Sequence, residues 1–281
     1  MGIRRRLSLM RGYYAAERDW AMPLLDLAHG MFALPSTFRS RRYIQSLAAE
    51  GDFLRVDLRG LKRPIYWPYG FPRILIHRVV TECFDPNDWH FYEVPETTVS
   101  PGDVVLDCGA AEGAFGLRVL ERAGAVVAFE PLADFVTCLR RTYAKADGVT
   151  IIPQALGAEV GIARLVADSG LGSTVQTNGD GPFVPVTTID TWRVATGSRV
   201  DFIKADLEGS EQLMLEGALE TIESCHPKIA ITTYHPANDW AKMIQLVRGV
   251  APSYRYRLKG LSMLGSRPRP VMLHMWVPVI R

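Results

Sequence analysis

From Pro101 onward, short and mostly apolar runs alternate with longer amphipathic ones. The runs "DVVLDCG", "AVVAFE", "VTIIPQ", "VDFIKAD" and "KIAITTYH" predict buried strands. After the first, second, fourth and fifth of them come stretches with helical spacing, "FGLRVLERAG", "ADFVTCLRRTYAKA", "SEQLMLEGALETIES" and "NDWAKMIQLVRGV". Strands that alternate with helices predict a parallel sheet with right-handed crossovers, so the fold class is α/β, Rossmann-like and doubly wound. The last two apolar runs, "SYRYRLKG" and "RPVMLHMWVPV", have no helix between them and predict an antiparallel hairpin at the sheet edge. A β-rich insert, "GIARLVADSGLGSTV" through "FVPVTTID", interrupts the alternation.

The chain before Pro101 has a different rhythm. Up to about residue 50 apolar and charged positions follow helical spacing, as in "PLLDLAHGMF" and "RRYIQSLAAE", and "FLRVDLRG" and "PIYWPYGFP" then predict short strands ended by Pro and Gly. Residues 1–72 therefore form an appended segment, helical and then β, and residues 73–281 the main domain. There is no internal repeat or low-complexity tract.

Composition narrows the class. With 281 residues, 48% of them hydrophobic, the chain can fill a full core. No run of about 18 apolar residues is present, and the basic start "MGIRRRLSLMRGYY" lacks the apolar stretch of a secretory leader, so a soluble cytoplasmic protein without a transmembrane segment is expected. Cys83, Cys108, Cys138 and Cys225 form no C-x-x-C pair, which predicts reduced core thiols. The net charge of +2 conceals an asymmetry: residues 1–73 carry thirteen Arg or Lys against six acids. Such a basic head fits nucleic acid, a weak peripheral contact with anionic lipid, or a phosphorylated substrate; it fits equally well arginines that are solvated or paired to the main domain.

In a doubly wound sheet, ligands sit beyond the carboxyl ends of the strands where the strand order reverses. The first strand ends in "VLDCGAAEGAFG", with Asp107, Gly109, Ala110, Glu112 and Gly113. A dinucleotide fingerprint would need glycines where Ala111 and Ala114 stand. Asp107 and Glu112 repel a phosphate and suit a cationic ligand such as S-adenosylmethionine, although a glycine turn can also merely connect strand to helix. The second strand ends at Glu130 and Pro131, and Glu130, 21 residues after Gly109, is spaced to accept hydrogen bonds from ribose hydroxyls or else to cap the next helix. The third puts Gln154 and Ala155 beside an adenine.

The fourth end, "DFIKADLEGSE", releases Asp206, Glu208 and Glu211. Strand periodicity puts Asp206 over the crevice. Glu211 is explained by the start of a helix, whose dipole favours acids. The fifth end carries His235, the histidine of the six that falls at such a strand end.

Taken in order, "VVLDCGAAEG", "AFEP", "IIPQALG", "TTIDTW", "DFIKADLEGSE" and "ITTYH" resemble the FkbM-type S-adenosylmethionine-dependent methyltransferases, a class I family that largely methylates hydroxyl groups of natural products and glycans. The resemblance runs from about Trp89 to His235, and Ile203 to Gly209 is its most specific part. It implies the class I fold, S-adenosylmethionine as cofactor, and a glycan or small-molecule hydroxyl as acceptor. Ala111 departs from it, since Asn is usual there.

An alcohol is a poor nucleophile while protonated, and a histidine suits base chemistry near neutral pH. His235 is the expected base, with Asp206 orienting it or the acceptor and Glu208 binding substrate or supporting that pair. The same three residues could instead hold a divalent cation, but their spacing is not specific for a metal. A nucleic-acid methyltransferase using the basic head and a catalytically silent S-adenosylmethionine-binding protein are the other readings. Against the first, acids stand where an extruded base and its phosphates would approach, and nucleic acid is not the expected partner.

Overall fold

The structure, a computed structural model, describes residues 3–15, 20–167, 173–176, 181–263 and 268–278. The chain opens with three helices, α1 (Ile3–Ala15), α2 (Leu24–Phe32) and α3 (Ser36–Arg39). They lead into a three-stranded antiparallel sheet of β1 (Ile44–Glu50), β2 (Phe53–Leu58) and β3 (Ile65–Pro68), and helix α4 (Arg73–Phe84) follows. The helical spacing of "RRYIQSLAAE" is misleading, because Ile44 to Glu50 is a strand. Pairing along the whole of β2 satisfies its backbone, and that long-range ladder overrides a weak local period.

The main sheet has seven strands in the order β13-β14-β12-β11-β4-β5-β6. Its parallel part comprises β4 (Val104–Cys108), β5 (Ala125–Phe129), β6 (Val149–Ile152), β11 (Phe202–Ala205) and β12 (Lys228–Thr232). The expected edge hairpin forms from β13 (Arg255–Lys259) and β14 (Met272–Trp276), with β14 antiparallel to β12. Helices α5 (Ala114–Val119), α6 (Ala133–Thr142) and α10 (Trp240–Val250) are the expected crossovers. The stretch "SEQLMLEGALETIES" is instead two helices, α8 (Glu211–Glu216) and α9 (Leu219–Cys225). They part at Gly217, where a Cβ would lie 2.2 Å from the Gly157 carbonyl oxygen. The insert builds a separate sheet from β7 (Ala155–Leu156), β8 (Gly161–Ala167), β9 (Ser173–Gln176) and β10 (Phe183–Thr187), and α7 (Ile189–Thr196) follows it. Residues 168–172 and 177–180 of the predicted insert lie outside the described residues.

The apolar runs of the parallel strands are buried on both faces. On one face Leu106, Val127, Ile203, Ile229 and Ile231 join a core with the C-terminal helices and with Tyr13, Trp20 and Leu27 of the N-terminal segment. On the other, Val105, Val126 and Phe202 share a core with Leu54, Val56, Ile65 and Trp67 of the small sheet and with Ile76 and Val80 of α4. The appended segment thus completes the hydrophobic covering of the main sheet on both faces. Trp67 is fully buried in that shared core. Replacing it with Ala should cost about 3–5 kcal/mol through lost transfer energy and a cavity. Urea unfolding of Trp67→Ala should show one transition at a lower midpoint; a separate early transition for the small sheet would contradict the shared core.

Candidate functional site

Strand order reverses between β4 and β11: β5 and β6 continue on one side and β12 on the other. The two strands are tied by a buried ion pair. Lys204 Nζ lies 3.0 Å from Asp107 Oδ1 and donates to the Gly109 carbonyl oxygen at 2.6 Å, while Asp107 Oδ2 accepts from the Gly116 amide at 3.1 Å. Burial opposes the charge on Lys204, but Asp107 and Asp206 outweigh it and raise its pKa further. Asp107 is therefore spent on the fold. It is completely buried, and Asp107, Ala110 and Gly113, expected on the cofactor, are not among the residues that line the cavity.

The turn after β4 is pressed against the strand end beside it. Gly109 has φ +72°, and a Cβ there would sit 2.0 Å from the Asp206 carbonyl oxygen. Ala111 holds φ +46° and Glu208 φ +52°, so strained non-glycine residues flank the opening. Asparagine tolerates this left-handed region better than alanine does, so the departure at Ala111 carries a backbone cost.

The opening leads to a cavity of about 550 Å³. Gly109, Glu112, Glu130, Pro131, Gln154, Ala155, Asp206, Glu208 and His235, all picked from sequence, lie on its walls. Glu130 accepts from the amides of Ala111 and Leu132, both at 2.9 Å, and so bridges the two turns. Burial pushes the pKa of Glu130 up to about 7 and that of Glu112 up to about 8, against backbone hydrogen bonds that pull both down.

At the other end Glu211 is the hub. Its carboxylate accepts five hydrogen bonds: the Leu207 amide, the Thr232 hydroxyl and His235 Nδ1 at Oε1, and the Gly209 amide and Asn238 Nδ2 at Oε2. The helix start accounts for only part of this, because Glu211 is fully buried and orients His235 at 2.8 Å. His235 Nε2 is left 3.2 Å from Glu208 Oε2 at the rim. Asp206, Glu211 and His235 each bring one ligand atom within 4.8 Å of the others, so Glu211 takes the place expected for Glu208 in a metal-like cluster. Both Glu211 oxygens are already occupied by the protein's own donors.

Two site residues went unread in the sequence. Tyr92 Oη donates to Asp206 Oδ2 at 2.9 Å, and His90 Nε2 lies 3.6 Å from the same oxygen. Both precede β4 in a loop whose approach to the sheet depends on tertiary packing. Burial pushes Asp206 up, but His90, His235, Lys204 and the Tyr92 hydroxyl together hold its pKa down at about 2. For His235 burial opposes the charge, yet Glu208, Glu211 and Asp206 raise its pKa to about 10. At neutral pH the cluster therefore holds an imidazolium between carboxylates.

A seven-stranded sheet of this order, with an acid-lined crevice at its switch point, defines the class I methyltransferase fold. The family model described as the methyltransferase FkbM domain matches residues 107–258, more than half of the chain, and the chain belongs to that family. No curated protein matches it. Among solved structures it is similar to methyltransferase FkbM from Methylobacillus flagellatus KT, with a TM-score of 0.50 and 19% identity over 71% of this chain. The match covers 54% of that structure's length. It is also similar to magnesium protoporphyrin IX methyltransferase from Synechocystis PCC 6803 with bound SAM, at TM-score 0.38 and 11% identity, covering 63% of this chain and 71% of that one. Among the described residues no helix is long and apolar enough to cross a membrane.

Two outcomes follow from the electrostatics. Lys204→Met leaves Asp107 buried without its partner and should cost about 3–5 kcal/mol, much of it recovered when Asp107 is also made apolar; chemical denaturation of the single and double variants measures both. His235 has a pKa raised above its ordinary 6.5, so its charge stabilises the fold fully below that value, and the contribution fades as pH climbs toward about 10. The stability gap between the wild type and His235→Gln should narrow over that window.

Proposed function

We propose that this chain is an S-adenosylmethionine-dependent O-methyltransferase acting on a hydroxyl of a glycan or natural-product acceptor. The observation that carries the reading is the pairing of an acid-lined cavity with an oriented histidine at its far end. The residues fit the cofactor chemically. Glu112, Glu130, Asp206 and Glu208 surround a space suited to a cationic adenosyl ligand, and the Gly109 turn lies on its wall. Glu130 would accept from the ribose hydroxyls, and Gln154 and Ala155 would flank the base. When bound, the cofactor supplies an electrophilic methyl group on a sulfonium.

The chain's own residues supply position and a proton acceptor. Alignment of the acceptor oxygen supplies much of the rate in an in-line displacement. Glu211 holds the imidazole through Nδ1, so Nε2 is the nitrogen that takes the hydroxyl proton, and Glu208 stabilises the imidazolium formed. Asp206, held ionised by Tyr92 and its neighbours, directs the hydroxyl. With a pKa near 10 His235 must first lose a proton, so turnover should climb with pH through the neutral and alkaline range.

Calorimetric titration with S-adenosylhomocysteine, and with NAD for comparison, tests the cofactor. Micromolar binding of the first alone is expected. Transfer of labelled methyl to hydroxylated glycans and polyketides then tests the base. His235→Ala should lower turnover roughly 10²- to 10⁴-fold while keeping cofactor affinity. Wild-type turnover in that variant would remove His235 from the reaction.

A further inference from the structure

Helix α4 divides its faces between core and cavity. Ile76, Val80 and Cys83 are buried in the core, whereas Leu75, Arg78, Val79 and Glu82, at i, i+3, i+4 and i+7, line the cavity. Among the described lining residues the acids are Glu82, Glu112, Glu130, Asp206 and Glu208, and Arg78 and His235 are the cationic side chains. His235 is committed to Glu211 and Glu208. Arg78 is not committed in the same way. Its Nε donates to Glu82 Oε1 at 2.6 Å, an ordinary pair one helical turn apart, and among the described residues its two terminal nitrogens donate to nothing. Its side chain is half exposed, and Asp206 and Tyr234 lie near enough to raise its pKa along with Glu82.

Asp206, just past the end of β11, and Tyr234, just past β12, line the same cavity as Arg78. Glu130 sits at the end of β5, two strands away from β11 and so about 10 Å off. An arginine with one edge paired and the other free has the fork geometry that takes a carboxylate through two parallel hydrogen bonds. An adenosyl amino acid with its ribose at Glu130 carries a carboxylate that must be paired once it leaves water, and the opposite wall is otherwise acidic.

We propose that Arg78 binds the carboxylate of the cofactor's amino-acid tail, an inference that rests on the cofactor reading above. Arg78 then sets the preference for an adenosyl amino acid over a bare thioadenosine, a role that neither the strand-end motifs nor the family match assigns.

The test compares S-adenosylhomocysteine with 5′-methylthioadenosine, which has no amino-acid tail, by calorimetry on the full chain. In the wild type the former should bind more tightly. In Arg78→Gln its affinity should fall roughly 10- to 100-fold while 5′-methylthioadenosine binds as before, which also shows that the variant is folded. Arg78→Lys keeps the charge without the fork and should fall between the two. Unchanged S-adenosylhomocysteine affinity in Arg78→Gln overturns the proposal. If the same variant instead raises only the KM for a methyl acceptor, the anion belongs to the acceptor and the assignment is wrong. Failure of the wild type to bind either nucleoside overturns the cofactor reading and this proposal with it, an outcome distinct from the first because it needs no variant.

Discussion

The buried pair of Lys204 and Asp107 is the constraint on which the site rests. It joins two strands that are far apart in sequence at the place where the sheet changes direction, and Lys204 also reaches the Gly109 carbonyl that begins the ligand turn. A lone lysine or carboxylate there would be untenable, so each makes the other possible. With the two strand ends pinned, the Gly109 turn is forced against the Asp206 carbonyl, and only a residue without a Cβ fits. The cost of burying the pair is offset by the contacts it fixes between the two strands and the turn.

A second centre organises the end of the cavity that holds His235. Glu211 begins a helix, ties down the loop from Leu207 to Gly209, and orients His235, all with one carboxylate. These tasks are coupled, because the loop amides that stabilise the charge also hold the oxygens that aim the imidazole. Asp206 belongs to a neighbouring group with Tyr92 and His90, and Thr232, within 2.7 Å of Glu211 and 3.2 Å of Asp206, stands between the two. Local changes in charge at either group are therefore felt at both.

Much of the fold was legible along the chain. Five strands and the edge hairpin follow from apolar runs and their interruptions, and the strand-end positions Gly109, Glu130, Asp206 and His235 do line one cavity. Other features were not legible, for identifiable reasons. Ile44 to Glu50 has a helical period but is paired as a strand by a partner that the local pattern cannot see. Glu211 reads as a helix-start acid because its contacts to Thr232, His235 and Asn238 come from another strand and the loop beyond it. The ion pair of Asp107 is hidden from the local pattern because its lysine partner is 97 positions away.

By itself, the sequence determined the class of sheet, the order of its strands' chemistry and the family, since these depend on periodicity and on residue types at chain-local spacings. Tertiary structure alone decided which acids are spent on the fold and which face the cavity, how His90, Tyr92 and Arg78 reach a site built from distant strands, and how His235 is charged. Burial and the sign of neighbouring charges set those outcomes, and both depend on residues brought together only when the chain folds.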